Sequence, residues 1–375
     1  MINSPACLVL SDGSKFEGFS VGASGTSAGE LVFNTGMTGY QEILTDPSYA
    51  HQLVMFTTAH VGNTGCNQED MESSRVWAEG LVLQNDISLS SNYRSEQSLP
   101  DFLKKHRVVA IAGVDTRALT HYLRDKGAMS ACITTDMNHL EEAISRAKAY
   151  PGLSGVDLAS VVSRKAIERW HLGRGDWALD SKPERLHVVV YDFGVKHSIL
   201  RRLHDKGCHL TLVPADTSAE AVIAMNPHGV LLSNGPGDPS ACDYAIQAAR
   251  DLLKEQVPLF GICLGFQILA LACGARAIKM KFGHHGVNHP VIQIESPERV
   301  LITSQNHGFA IDEASLPGYL RVTHRSLFDK SLQGIIHESQ SAFGFQGHPE
   351  AGPGPHDATC VFDPFIQSMH DKNAV

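Results

Sequence analysis

The feature that most constrains the fold is the stretch VPLFGICLGFQILALACGA, Val257 to Ala275, where an apolar run reaches Cys263 between two glycines and then continues apolar. Val257 to Ile262, opening beside a proline, reads as a short strand buried on both faces. Leu264 to Leu271 places apolar residues at helical spacing, with Gly274 as the stop. Gly261 and Gly265 flank Cys263 and Leu264 in the glycine-x-nucleophile-x-glycine spacing of a nucleophile elbow, with cysteine as the nucleophile. A turn that sharp leaves no room for a Cβ on either side. A cysteine at the mouth of a helix also faces the positive end of the helix dipole, which favours negative charge on it. From this stretch alone, a buried structural cysteine is the alternative. A membrane span is not expected, because the run is short, cut by glycines and carries Gln267.

The elbow sits within an alternating pattern. HVVVYDFG, CHLTLVP and GVLLSNGPGDP read as strands, and HSILRRLHDKG, SAEAVIAMN and DYAIQAARDLLKEQ as the helices between them. This succession predicts an α/β domain over residues 186–375, with a doubly wound, mostly parallel sheet covered by helices on both faces. Sites in such sheets lie beyond the carboxyl ends of the strands, where both NGPGDP and the elbow fall. Past Gly274 the pattern turns to short strands and turns, and VFDPFIQSMH ends in a short helix.

The front of the chain differs. Short β-type runs from Ala6 to Phe33, separated by Asp-Gly and Gly-Ser-Thr clusters, predict a smaller β-rich α+β N-terminal domain over residues 1–151. Helices are expected at Leu99–His106, at Arg117–Lys126 with Asp115 or Thr116 as cap, and at Leu140–Ala149. FNTGMTGYQEILTDPSY, Phe33 to Tyr49, is turn-rich and polar, and reads as a surface loop or a ligand contact. Residues 152–185, glycine-punctuated and without periodicity, read as the interdomain connection.

A chain of 375 residues suits two domains, and 43% hydrophobic with 19% charged residues is an ordinary globular balance. The net charge of -9 argues against nucleic acid or an anionic membrane as the main partner. Eight cysteines without a C-x-x-C pair suit a reducing compartment and offer no disulfide frame or zinc site. MINSPACLVLSDG lacks a basic n-region and a long apolar core, so no signal peptide is expected and a cytoplasmic location is.

Two further segments complete a candidate site. In QGHPE, His348 and Glu350 lie two apart, and an extended backbone projects such residues to one side, with Pro349 helping to hold it. A carboxylate beside an imidazole orients the ring and stabilises the imidazolium formed when it takes a proton from a thiol. A solvated surface pair is the alternative. Acyl transfer also needs donors for an oxyanion. The Leu264 N–H is the first, and Gly235 and Gly237 let the NGPGDP loop approach closely enough to supply another, although a tight surface turn uses the same residues. His284, His285, His289, His307 and His356 show neither i, i+4 spacing nor an H-E-x-x-H pattern, so no catalytic metal is expected.

SNGPGDP, GICLGFQ and FQGHPE, in this order, resemble the class I (triad) glutamine amidotransferase domain. FNTGMTGYQEILTDPSY, VGNTG, GVDTRALTHYLR and PGLSGVDLA in the front half, with KFGHHGVNHPV, TSQNHGFA, VTHRSLFD and PGPHD in the back half, narrow the likeness. Together they resemble the small-subunit family of glutamine-dependent carbamoyl phosphate synthetases over essentially the whole length. The resemblance implies Cys263 as nucleophile, His348 as base and acid, and Glu350 as its orienting carboxylate. It implies that Ser48, Gly235, Gly237, Leu264, Gln267, Asn306, Gly308 and Phe309 contact L-glutamine. It further implies a large synthetase subunit as partner, docked on the N-terminal domain, and ATP with Mg on that subunit. No cofactor is expected in this chain, which has no Walker A motif.

Two departures stand out. The family's elbow usually reads GICLGHQ, and Phe266 takes the place of that histidine. Val287 stands where a glycine is usual. Altered packing or tuning is expected at Phe266 rather than lost activity. Two other functions remain open on sequence: a free-standing cysteine γ-glutamyl hydrolase on the same scaffold, and a catalytically impaired regulatory subunit.

Overall fold

A computed structural model describes residues 4–178, 182–183 and 185–373. The chain divides into two compact units, residues 1–154 with 281–287, and residues 155–280 with 288–375.

The first unit is a closed barrel of seven strands, β1 (Pro5–Leu10), β2 (Lys15–Ser20), β3 (Thr26–Asn34), β4 (Gln52–Phe56), β5 (Gly80–Val82), β6 (Val109–Ala112) and β7 (Met129–Thr134). Their order is β1-β2-β6-β5-β4-β3-β7, with β7 pairing back on β1, so no edge is left open. The β3-β4-β5-β6 run is parallel and the remaining pairs are antiparallel. Four helices accompany it: α1 (Tyr40–Thr45), α2 (Leu99–Lys105), α3 (Thr116–Lys126) and α4 (Leu140–Ala149). Asp115 caps α3 by accepting from the Ala118 N–H, which settles the choice of cap. The segment expected as a surface loop is instead largely buried. Tyr40, Ile43, Leu44 and Tyr49 join the barrel's core, and its polar groups bond inward, as Gln41 does with Asn67. Its polarity reflects satisfied buried groups, not exposure.

The second unit is built on one ten-stranded sheet. Its strands are β8 (Glu168–Trp170), β9 (Leu186–Asp192), β10 (Cys208–Pro214), β11 (Gly229–Leu232), β12 (Leu259–Ile262), β13 (Ala277–Gln293), β14 (Ser296–Ile311), β15 (Leu320–Ser326), β16 (Leu332–His337) and β17 (Ala342–Phe345). The order is β14-β13-β15-β16-β17-β12-β11-β9-β10-β8. The middle five, β17-β12-β11-β9-β10, are parallel, and antiparallel strands extend the sheet on both sides. The sheet is therefore mixed, with the doubly wound part at its centre. Helices α5 (Ala159–Val162), α6 (His197–Asp205), α7 (Ala219–Ile223), α8 (Asp243–Lys254), α9 (Leu264–Ala272) and α10 (Asp363–Asn373) cover it. One face packs α7, α8 and α9 through Val222, Leu252, Phe266 and Ile268. The other packs α6 and α10 through Ile199, Leu203, Phe365 and Met369.

Three further sequence readings change. The stretch read as a connection, 152–185, contributes α5 and the edge strand β8, although its residues 179–181 and 184 lie outside the described residues. β8 pairs with β10 over only three residues, too few for an alternating pattern to be legible. The region past Gly274, read as short strands, contains the long strands β13 and β14, whose glycines and histidines hide their continuity. The boundary drawn at 186–375 also did not anticipate that 281–287, the middle of β13, belongs to the first unit. There the Lys281 carbonyl accepts from Ala128 N–H at 2.7 Å, and the His285 carbonyl from Thr35 N–H at 3.2 Å.

Candidate active site

The turn from β12 to α9 is as tight as the glycine spacing demands. A Cβ on Gly261 would lie 2.5 Å from the Gly265 carbonyl oxygen, and one on Gly265 only 2.0 Å from the Leu232 carbonyl oxygen of β11. Cys263 itself takes φ 54°, ψ -106°, a strained conformation for a residue with a side chain. Two backbone bonds hold it there: Cys263 N–H to the Phe345 carbonyl at 2.9 Å, and Gly265 N–H to the Ser233 carbonyl at 2.9 Å. The Leu264 N–H, first in α9, lies outside the intrahelical ladder and is the natural anion donor.

His348 and Glu350 follow β17. The His348 N–H donates to the Ser304 carbonyl of β14 at 2.9 Å, which fixes the backbone beside the elbow. Glu350 Oε1 lies 2.8 Å from His348 Nδ1 and accepts from Lys196 Nζ at 2.8 Å, while its carbonyl accepts from Arg202 Nε at 2.9 Å. The Lys196, Glu350 and His348 side chains are all buried. Burial alone would lower the His348 pKa, but the Glu350 charge, the neighbouring Cys263 sulfur and the hydrogen bond to Glu350 outweigh it and raise the imidazole. Burial would likewise raise Glu350, but Lys196 and His348 hold its carboxyl below the usual range. With Nδ1 committed to Glu350, Nε2 is the nitrogen left for proton transfer, and it has no hydrogen-bond partner among the described residues. The geometry thus brings Cys263, His348 and Glu350 into one buried cluster with the polarity of an acyl-transfer triad.

The Cys263 thiol donates to the Asn306 carbonyl at 3.5 Å. Gln267 Nε2 donates to the Phe309 carbonyl at 2.8 Å, so Gln267, Asn306 and Phe309 gather beside the nucleophile. Gly308, between them on β14, lies beside Lys279, whose Nζ sits 4.8 Å from the centre of the Phe309 ring. Gly235 approaches the Phe193 carbonyl and the Leu264 side chain, and Gly237, at φ 91°, approaches Val156 and Leu158. These glycines are required by packing of the loop on its neighbours. Ser48 is buried in the first unit, in the 3-10 turn Pro47–Tyr49, where its N–H donates to the Asp46 carboxylate at 2.8 Å.

Sequence reasoning missed Lys196, Arg202 and Gln346. Lys196 follows the β9 turn, whose Asp192 side chain accepts from Gly194 and Val195 N–H, and nothing in its local pattern marks it as buried. Gln346 stood inside the FQGHPE motif, so a signal was present. Phe266 is fully buried in the core under α9, 2.6 Å from where a Cβ on Gly344 would lie, so it serves as packing.

Comparison with known proteins points the same way. A family model described as glutamine amidotransferase class-I matches residues 189–368, and one described as carbamoyl-phosphate synthase small chain, CPSase domain, matches residues 8–133. The chain is 58% identical to a carbamoyl phosphate synthase small chain from Vibrio cholerae, with 98% of this chain and 99% of that one covered. It is 57% identical to the protein of that name from Acinetobacter baylyi, covering 98% of each chain. It is 55% identical to the one from Pseudomonas aeruginosa, covering 98% of this chain and 99% of that one.

Proposed function

The chain belongs to the carbamoyl phosphate synthase small-chain family, and from that footing we propose how its residues divide the work of a glutamine-hydrolysing subunit. Cys263 attacks the γ-carboxamide of L-glutamine, and His348 Nε2 carries the thiol proton to the departing nitrogen. Ammonia leaves, and a γ-glutamyl thioester remains on the sulfur. Water, deprotonated by His348, then releases glutamate and restores the thiol. Glu350 holds the ring by Nδ1 and offsets its charge, and Lys196 offsets that of Glu350. The Leu264 N–H and the loop at Gly235 and Gly237 face the oxyanion. Gln267, Asn306, Gly308 and Phe309 hold the amino acid.

Ammonia goes to a large synthetase subunit, which makes carbamoyl phosphate from bicarbonate and ATP, with ATP and Mg bound there. The N-terminal unit is the docking surface. This supply serves arginine and pyrimidine biosynthesis, in the cytoplasm. Neutral water would protonate free ammonia to a poor nucleophile, so its path is guarded. The match over residues 8–133 disfavours a free-standing hydrolase. The hydrogen-bonded His348–Glu350 pair beside an elbow cysteine disfavours an impaired subunit, since Phe266 only fills core.

The observation that carries this reading is the buried line Lys196–Glu350–His348, aimed at a cysteine in a strained elbow. In the assembled complex, Cys263→Ser and His348→Asn are expected to abolish glutamine-dependent synthesis while ammonia-dependent synthesis persists. Loss of both activities in a properly assembled complex would sink the reading.

A further inference from the structure

Gln346, the residue after β17, is fully buried and uses both ends of its side-chain amide. Its Nε2 donates to Cys263 Sγ at 3.8 Å, and its Oε1 accepts from Gln267 Nε2 at 3.0 Å. The direction of this amide is set from outside. A backbone carbonyl only accepts, so the Gln267 donation to Phe309 fixes which end of Gln267 is its NH2. The second hydrogen of that NH2 requires an acceptor, which turns Gln346 Oε1 toward Gln267. The Gln346 N–H is left pointing at sulfur. Its backbone is held as well, by Gln346 N–H to the Gln333 carbonyl at 2.9 Å.

We propose that Gln346 is a positioning residue for the nucleophile: its N–H, aimed by Gln267 and the Phe309 carbonyl, holds the Cys263 sulfur once the thiol proton has left. The proposal rests on Cys263 being the nucleophile. In the structure the thiol donates to the Asn306 carbonyl, which does not take a proton, so that bond parks the sulfur without activating it. When His348 Nε2 takes the proton, the S–H bond breaks, an N–H bond forms and the electron pair stays on sulfur. The sulfur is then only an acceptor. The Asn306 carbonyl repels it, and the Gln346 N–H attracts it with the strength of a charge-assisted bond. Gln267 therefore has two tasks, facing the substrate and setting the direction of the donor that steadies the nucleophile.

The test is the rate of iodoacetamide alkylation at Cys263 across pH, followed at the Cys263 peptide by mass spectrometry in the full chain. Gln346→Glu keeps the shape and the acceptor for Gln267 but removes the donor, and Gln346→Met removes both. In each, alkylation near neutral pH is expected to fall about tenfold, the worth of one hydrogen bond to a charged group, with rates converging at high pH where the sulfur is anionic in every variant. In the assembled complex kcat for glutamine is expected to fall more than KM rises. Alkylation curves that superimpose on the parent, in variants whose melting shows them folded, would overturn the proposal. If neither variant folds, a crystal structure of the unsubstituted chain at alkaline pH decides. A sulfur nearer Gln346 Nε2 than the Asn306 carbonyl supports the proposal, and one still on Asn306 overturns it. Glutamine hydrolysis that survives blocking of Cys263 would overturn the underlying reading and this proposal with it.

Discussion

At the scale of single residues, the site is governed by three titratable side chains buried in one line: Lys196 holds Glu350 ionised, and Glu350 favours the imidazolium that His348 becomes on taking a proton. Glu350 has a depressed pKa, so the stability it contributes is complete above its ordinary value of 4.5 and is lost as pH falls through its folded value. His348 has a raised pKa, so its contribution is complete below 6.5 and is lost as pH rises through its folded value. Glu350→Gln removes both and takes the carboxylate charge away from the buried Lys196 ammonium. It is expected to cost about 3–5 kcal/mol and to flatten the fall of the melting temperature on both flanks, as melts across pH will show. A variant that melts like the parent at pH 6 would contradict the buried pairing. Glutamine hydrolysis should fall less in that variant than in Cys263→Ser, because neighbours still hold the ring. The clustering of Cys263, His348 and Glu350 was legible, because their motifs and order pointed to one site and the structure brings the side chains together. Lys196 was not, because a lone lysine after a strand is ordinarily solvated and only the fold buries it.

Among the elements, the β12–α9 elbow was the most legible, since its glycines are dictated by sterics the sequence records directly. Gly265→Ala tests that account. A methyl 2.0 Å from the Leu232 carbonyl must displace α9 or β11, at a cost of about 1–3 kcal/mol. Alkylation of Cys263 should slow with it, because the turn that presents the sulfur opens. Unchanged stability and reactivity would contradict the packing described. The exact match at β10, Cys208–Pro214, and the near matches at α6 and α8 follow from uninterrupted apolar periodicity. β8 and the ribbon β13–β14 were hidden for opposite reasons. One is too short to show a period, and the other is long but interrupted by Gly283, Gly286 and a run of histidines. The buried polar segment from Phe33 to Tyr49 misled because its hydrogen-bond partners lie far away in sequence.

For the whole molecule, the sequence changes grammar from β-rich runs to alternating strand and helix, and the proposed function gives the two parts different tasks. None of the helices among the described residues is long and apolar enough to cross a membrane. The account predicts that a large ATP-dependent synthetase is recovered with this chain from its cell. It also predicts that removing residues 1–151 abolishes that recovery, and recovery undiminished by the deletion would contradict docking on the first unit. The central claim is that Cys263 becomes acylated during turnover. Acid quenching of the complex during glutamine turnover, followed by mass spectrometry of the Cys263 peptide, tests it most directly. The account predicts a γ-glutamyl thioester on Cys263 that is absent in Cys263→Ala. Steady glutamine hydrolysis by Cys263→Ala, or an adduct confined to another residue, would contradict it.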